Sequence, residues 1–209
     1  DNGAQGIKMA KYEKRSLTGS VEKRADDNRR TLVGYASVFN SPTDIGGMWI
    51  ETVAPGAFAE TLAGDVRALV DHDMGRVIGR TKSGTLRLSE DAHGLRCEID
   101  LPDTTDGNDL WALIERGDIS GMSFGFQVTK NEWDETGDIP KRTIQKVELY
   151  EVSAVAFPAY DDTELGKRSL QEFRAAHHAP DIPAAAPVAR AAIKARLKMD
   201  LDFKVRTKR

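Results

Sequence analysis

The chain is poor in cysteine, with one residue, Cys97, among 209. A single thiol excludes an intramolecular disulfide framework and a cysteine-rich zinc site, and it fits a reducing compartment. Long apolar runs are also missing. No stretch reaches the roughly 18 consecutive apolar residues of a membrane-spanning helix, and no segment has the hydrophobic centre of a signal peptide. A strong charge of one sign is absent too, because 33 Asp and Glu oppose 30 Lys and Arg for a net charge of −3. That balance argues against a protein that coats nucleic acid over its whole surface. The chain opens on Asp1 with Met9 as a candidate start, so no functional reading is placed on residues 1–8.

What is present suits one ordinary domain with tails, or two small domains. Hydrophobic residues make up 40% and charged residues 30%, enough for one core under a soluble surface. The charge is uneven: from Arg190 to Arg209 eight basic residues face two acidic ones, leaving the rest of the chain acidic.

Residues 8–30 are highly charged and weakly periodic, and are expected to give one edge strand and a solvated turn. Thr31–Asn40 ("TLVGYASVFN") is rich in β-branched and aromatic residues and reads as a strand. "WIETVAPGAFAETLA" reads as a short strand, then Pro55–Gly56, then a helix from about Ala57. "VRALVDHD" is a further strand ending at a loop near His72. "VIGRTKSGTLRLSEDAHGLRCEIDLP" reads as three short strands with turns at Ser83–Gly84 and His93–Gly94, and Leu95, Cys97, Ile99 and Leu101 share one face. Leu110, Leu113 and Ile114 form the apolar stripe of a helix that Gly117 ends. In "GMSFGFQVTK", Met122, Phe124, Phe126 and Val128 alternate with Ser123, Gly125 and Gln127, the period of two of a strand. "EWDETGDIPKR" is a polar hairpin tip, followed by one or two long strands that Pro158 stops. The Ala/Pro stretch near 169–189 is a linker, and Ile193, Leu197 and Leu201 would give the basic tail an amphipathic helix. The body is expected to be α+β and mostly β, a small β-barrel decorated by two helices.

Three residues stand out chemically. Ser123 lies mid-strand beside Gly125, which leaves open space above it; a structural hydroxyl and a nucleophile both fit. Ser120 is weaker, standing where a helix-to-strand turn places a capping residue. His72 stands where an apolar run turns polar, as a surface histidine or as a base. With Asp71 and Asp73 it also permits a metal reading, though an H-x-D pattern without further histidines is thin support. Glu151 sits on an apolar-looking face with Val147, Leu149, Ser153, Val155 and Phe157, where a carboxylate needs partners. An ion pair with Arg76 or Arg80 is the structural explanation. His93 lies in a turn, His177 and His178 lie in the linker, and Cys97 reads as a small core hydrophobe.

"GYASVFN", "PGAF", "LVDHD", "IGRTKSGTLRLSEDAHGL", "GMSFGF" and "YEVSAVAFPAY", in this order over about Thr31 to Asp162, resemble the prohead (procapsid) maturation proteases of tailed phages, Hong Kong ninety-seven type. That family is regarded as distantly similar to the herpesvirus assembly protease (assemblin). The resemblance implies a β-barrel surrounded by helices and a serine–histidine mechanism without cofactor or metal. Carried over motif by motif, it makes Ser123 the nucleophile and His72 the base. The herpesvirus enzymes use a second histidine as third member; no histidine here sits on a suitable strand, and Glu151 of the "EVS" motif is the best substitute. On this reading residues 1–30 precede a protease domain at 31–168, a linker at 169–189 and a basic tail at 190–209. The implied function is a serine endopeptidase of the immature capsid in the host cytoplasm, cutting the scaffolding segment of the major capsid protein and itself. A homodimer is also implied; a membrane or a specific nucleic acid is not. A non-catalytic capsid-assembly or scaffold-binding barrel and a metal-dependent hydrolase at Asp71, His72 and Asp73 are the alternatives.

Overall fold

The computed structural model describes residues 12–17, 21–26, 29–156 and 170–176. The chain divides into Asp1–Leu170 and Gln171–Arg209. Of the second unit only residues 171–176 are described; with Leu170 they form helix where the start of the linker is expected, and the linker from 177 onward and the basic tail lie outside the described residues.

The first unit holds eleven strands and one twelve-residue helix among its described elements. These are β1 (Glu13–Leu17), β2 (Val21–Asp26), β3 (Arg29–Val38), β4 (Thr43–Ile45), β5 (Trp49–Val53), β6 (Arg67–Val70), β7 (Asp73–Arg80), β8 (Leu86–Glu90), β9 (Gly94–Asp100), α1 (Thr105–Arg116), β10 (Gly121–Asp134) and β11 (Lys141–Val155). A mostly β, α+β body is therefore present. β1 and β2 lie before Thr31, so the sheets begin upstream of the expected domain edge.

One sheet runs β1-β10-β11-β5-β4, with β6 pairing both β11 and β7; the other runs β2-β3-β9-β8. Each strand with period-two patterning gives its sheet one apolar face, and the two faces meet. Leu32, Ala36, Leu95, Cys97 and Ile99 from the smaller sheet share a core with Met122, Phe124, Phe126, Val152 and Ala154 from the larger. The sheets do not close into the expected barrel. Among the described residues β1 pairs only β10, β4 pairs only β5, and β2 and β8 end the smaller sheet. Closure needs these edges to find one another, which strand count alone does not determine.

The helix expected from Ala57 is not formed. Gly56 takes φ +84°, and the segment proceeds by turns such as Thr61 N–H to Phe58 O and Gly64 N–H to Thr61 O. Phe58 is nevertheless fully buried, so the segment is anchored on the core without forming a helix. The other expected helix is α1. Thr104 caps its start by accepting from Gly107 N–H, and Gly117 at φ +81° ends it, the left-handed position that favours glycine.

β11 is the strand on which the candidate site is built. Its first part pairs in parallel with β5 (Lys141 opposite Ile50 to Ile144 opposite Val53), and its last part pairs in parallel with β6 (Glu151 opposite Arg67 to Ala154 opposite Val70). Its other edge carries β10, antiparallel, with Ser123 opposite Ser153 and Gly125 opposite Glu151.

Candidate active site

The β10–β11 ladder slips between Gly125 and Phe126. Gly125 faces Glu151, but Phe126 faces Leu149, so Tyr150 is an extra residue on β11. Such a bulge turns one side chain over relative to simple alternation. The expectation that Glu151 shares the face of Val147 and Leu149 is corrected on this ground. Leu149 goes with Phe126 into the core, while Glu151 goes with Gly125 and Ser123 to the sheet's other face.

His72 arrives from the opposite edge. Val70 pairs Asp73 across the β6–β7 hairpin, leaving Asp71 and His72 as a two-residue turn with φ +53° and +60°. Two central residues at positive φ fit the right-handed twist of a hairpin but usually call for Asn-Gly. Left-handed backbone at non-glycine residues costs on the order of 1–2 kcal/mol each, less for Asp. The turn is pinned over the end of β11 by Asp71 N–H to Ala154 O at 2.9 Å and His72 N–H to Ser153 Oγ at 3.3 Å.

The pinned turn sets the imidazole against the carboxylate. His72 Nδ1 lies 2.7 Å from Glu151 Oε1. Tyr12 O–H donates to the same oxygen at 2.8 Å, and Ser153 O–H donates to Oε2 at 2.5 Å. Glu151 is 3% exposed, and these groups supply the partners that a buried carboxylate requires. Neither arginine suggested for it is involved, since Arg76 binds Asp106 and Arg80 binds Asp65. With its proton on Nδ1, facing the carboxylate, the ring keeps Nε2 as a proton acceptor.

Ser123 stands on the same face, one strand beyond Ser153, and is fully buried. Its hydroxyl donates to Arg15 O at 2.8 Å and accepts from Ser16 Oγ at 2.9 Å. The structure thus brings His72 and Glu151 into contact and places Ser123 across from Ser153, which touches both, with the Ser123 hydroxyl held by β1. The space above Gly125, expected to be open, is filled: a β-carbon there would overlap the Tyr12 hydroxyl and Glu151 Oε1.

β1 is itself fixed from its other face. Arg15 Nε donates to Glu51 Oε1 at 2.5 Å and Nη2 to Glu13 Oε2 at 2.8 Å. Arg142 Nη1 donates to Glu13 and Glu51 at 2.9 and 3.1 Å. All four side chains are buried. Burial alone would lower the Arg15 pKa, but the Glu51 and Glu13 carboxylates outweigh it and raise it. Burial would likewise raise the Glu51 pKa, and Arg15 and Arg142 hold it below the usual carboxylate range.

Tyr12, Ser16 and Ser153 were missed as members of this cluster. Ser153 carried a signal, standing two residues from Glu151 on one strand and so on one face. Tyr12 carried none, as it lies in the charged segment far from every motif. Cys97 is buried with its thiol pushed up to about 12 by burial, as a small core hydrophobe. Asp73 Oδ1 accepts from Gly75 N–H at 2.8 Å. Among the described residues no group of three His, Cys, Asp or Glu is placed to hold a metal ion.

Residues 19–176 match the family described as caudovirus prohead serine protease. The prohead protease of Enterobacteria phage HK97 is 36% identical over 146 residues, covering 66% of this chain and 60% of that protein. The prohead protease of Escherichia phage T5 is 35% identical over 95 residues, covering 46% of this chain and 42% of that protein. The chain thus spans less than two thirds of the length of each. Among solved structures, the bacteriophage T4 capsid assembly protease aligns with a TM-score of 0.45 at 12% identity, over 70% of this chain and 96% of that one. On the family match, which runs through both sheets and the His72–Glu151 cluster, the chain belongs to the caudovirus prohead serine protease family.

Proposed function

We propose that the protein is a serine endopeptidase of phage head maturation, with Ser123 as nucleophile, His72 as general base and Glu151 as the group that orients the imidazole. The observation that carries this reading is the 2.7 Å contact between His72 Nδ1 and Glu151 Oε1, made on the sheet face that bears Ser123. A carboxylate on Nδ1 fixes the tautomer whose Nε2 accepts a proton, and stabilises the imidazolium that forms. Ser123 Oγ then attacks the peptide carbonyl carbon as its proton passes to Nε2. Collapse of the tetrahedral intermediate breaks the C–N bond, and the imidazolium gives its proton to the leaving amine. Water, deprotonated by the same ring, hydrolyses the acyl-enzyme.

This chemistry requires the Ser123 proton to leave Arg15 O and turn to His72. The rotation exchanges one hydrogen bond for another, a net change on the order of 1 kcal/mol. The proposed substrates are the scaffolding segment of the major capsid protein and the protease's own chain, with action inside the procapsid in the host; membership of a prohead protease family supports this reading. Self-cleavage would fall between about Arg168 and Arg190, a stretch of which residues 170–176 are described, as helix, and the rest lies outside the described residues.

A second reading makes Ser153 the nucleophile, because it is the serine that touches both Glu151 Oε2 and the His72 amide. Its proton faces a carboxylate rather than Nε2, which favours a positioning role. The test is cleavage of the purified scaffolding segment with chelator present. Ser123→Ala and His72→Ala should each lose several orders of magnitude in rate, whereas Ser153→Ala should keep measurable activity. Undiminished cleavage by Ser123→Ala overturns the assignment, and selective loss in Ser153→Ala moves the nucleophile to Ser153. Loss of wild-type cleavage to the chelator would favour the metal-dependent alternative.

A further inference from the structure

Among the described residues, Met74, Val77 and Ile139 are the large hydrophobics left exposed, and the first two, 56% and 47% exposed, stand together on β7. They line a cleft of about 330 Å³ whose other walls include Leu69, Tyr12 and Tyr150, and Glu151 reaches into it. That size lies within the roughly 300–1,000 Å³ of small-ligand pockets. Exposed apolar side chains gathered in one concavity mark a binding surface, whereas scattered ones do not.

The polar groups at this cleft are already engaged. The Tyr12 hydroxyl donates to Glu151, and the Tyr150 hydroxyl lies 3.0 Å from Glu148 Oε2. Burial and the Glu148 carboxylate push the Tyr150 phenol up to about 12, so it stays protonated and neutral. Asp65 and Arg67 also line the cleft and pair with each other, and Arg80 binds Asp65 from outside the lining. The two tyrosine rings stand with centroids 6.1 Å apart at 36°. The bulge at Tyr150 lets two successive residues of β11, Tyr150 and Glu151, both reach the cleft. Glu151 touches His72, so the cleft opens directly beside the proposed catalytic pair.

We infer that this cleft is a specificity subsite that takes a large apolar side chain, leucine- to phenylalanine-sized, from a substrate residue close to the scissile bond. The inference rests on the proposed protease function. A peptide whose carbonyl lies at His72 runs past Glu151, and its neighbouring side chain enters a space with apolar walls and no uncommitted charge on its floor. Binding there removes water from Met74 and Val77, whereas an Asp or Lys side chain would meet only Arg67 and Asp65, already paired with each other, and Glu151, already engaged by Tyr12 and Ser153. Preference for a large apolar residue over glycine is therefore about 10- to 100-fold in kcat/KM, the range a hydrophobic pocket supplies.

The test uses the full chain and two independent measurements. In the first, a denatured proteome digest is incubated with wild-type and Val77→Lys protein, and the new termini are sequenced. Wild type should show large apolar residues enriched at one position relative to the cut, and Val77→Lys should lose that enrichment while keeping the preferences at other positions. Cleavage without apolar enrichment in wild type, or enrichment unchanged in Val77→Lys, overturns the subsite and leaves the protease reading standing. In the second, methyl-¹³C methionine protein is titrated with N-acetyl-leucine amide and with N-acetyl-glycine amide. The Met74 methyl resonance, assigned with Met74→Leu, should shift with the leucine probe and not with the glycine one. If no peptide is cleaved, the protease reading falls and the titration alone judges the cleft: a leucine-selective shift upholds an apolar side-chain site, and no shift overturns it.

Discussion

Replacing Gly125 by alanine separates two physical expectations of opposite sign. In the interior of a strand, glycine is ordinarily worse than alanine by roughly 0.5–1 kcal/mol, because it loses more backbone freedom on folding. On that basis Gly125→Ala should stabilise β10. The structure predicts the reverse. A β-carbon at 125 would overlap the Tyr12 hydroxyl and Glu151 Oε1 and press on Tyr12 Cζ. Backbone on both sides is locked in the ladder with β1 and β11, so the side chains must give way. Overpacking costs about 1–3 kcal/mol, and displacing Tyr12 sacrifices a charge-assisted hydrogen bond to Glu151 worth about 1.5–3 kcal/mol. After subtracting the propensity gain, the net loss is roughly 1.5–5.5 kcal/mol. For a chain of this length that lowers Tm by roughly 3–20 °C. Glu151 Oε1 is also the atom that faces His72, so cleavage should fall together with stability.

Thermal and urea denaturation of wild type and Gly125→Ala measure the first effect, and scaffold cleavage measures the second. A double-mutant cycle with Tyr12→Ala identifies the cause. With the ring removed, the remaining overlap is with Glu151, and the cost of Gly125→Ala should shrink by at least about 1 kcal/mol. A Gly125→Ala protein that melts at or above the wild-type temperature with full activity would refute the reasoning. A cost unchanged in the Tyr12→Ala background would refute the assignment of the clash to Tyr12.

Three further outcomes concern groups away from Gly125. Arg142→Met should destabilise by about 3–5 kcal/mol in urea titration, because it leaves Glu13 and Glu51 buried around Arg15 alone; adding Glu13→Gln should recover part of the loss. Cys97, buried with its thiol pushed up to about 12, should resist alkylation in the native protein at pH 8 and react once urea unfolds it. Asp100 has its carboxyl held at about 2, chiefly by its hydrogen bonds from Arg87. Its contribution is present above the usual pKa near 4 and disappears as pH falls toward 2. Asp100→Asn should therefore lower stability at pH 7 by no more than about 2 kcal/mol and flatten the acid limb of the stability curve.

Much of the fold was legible because it is local. The alternation in β10, the three short strands from Asp73 to Asp100 and the cap and stop of α1 each depend on residues within one or two turns of chain. Glu151 was legible as an anomaly, a carboxylate in an apolar stretch. Its face was not, because the bulge at Tyr150 is set by pairing with β10 and leaves no mark in the composition of β11. The segment from Ala57 has helix-like apolar spacing, yet Gly56 at positive φ and the burial of Phe58 against the core fold it into turns. The barrel failed for a related reason: the strands were countable, but whether β1 and β4 meet depends on contacts between distant edges. Tyr12 shows the limit most plainly, since nothing within the charged segment indicates a hydroxyl destined for Glu151.

The meeting of His72 and Glu151 comes from two departures from regular β-structure, and they are interdependent. A glycine-rich turn at 71–72 would carry less backbone strain but would present no imidazole, and a regular β11 would send residue 151 into the core with Leu149. Each departure costs on the order of 1–3 kcal/mol by itself and persists because its surroundings fix it. The turn is held by Ala154 and Ser153 of β11, and Ser153 in turn holds the carboxylate that the bulge has redirected. Ser153 thus connects the backbone of one irregularity to the side chain presented by the other. Such coupling makes the pair rigid, as the proposed roles of base and orienting group require. On the same proposal Ser123, whose hydroxyl is tied to β1, is the group whose bonding changes when a peptide carbonyl arrives.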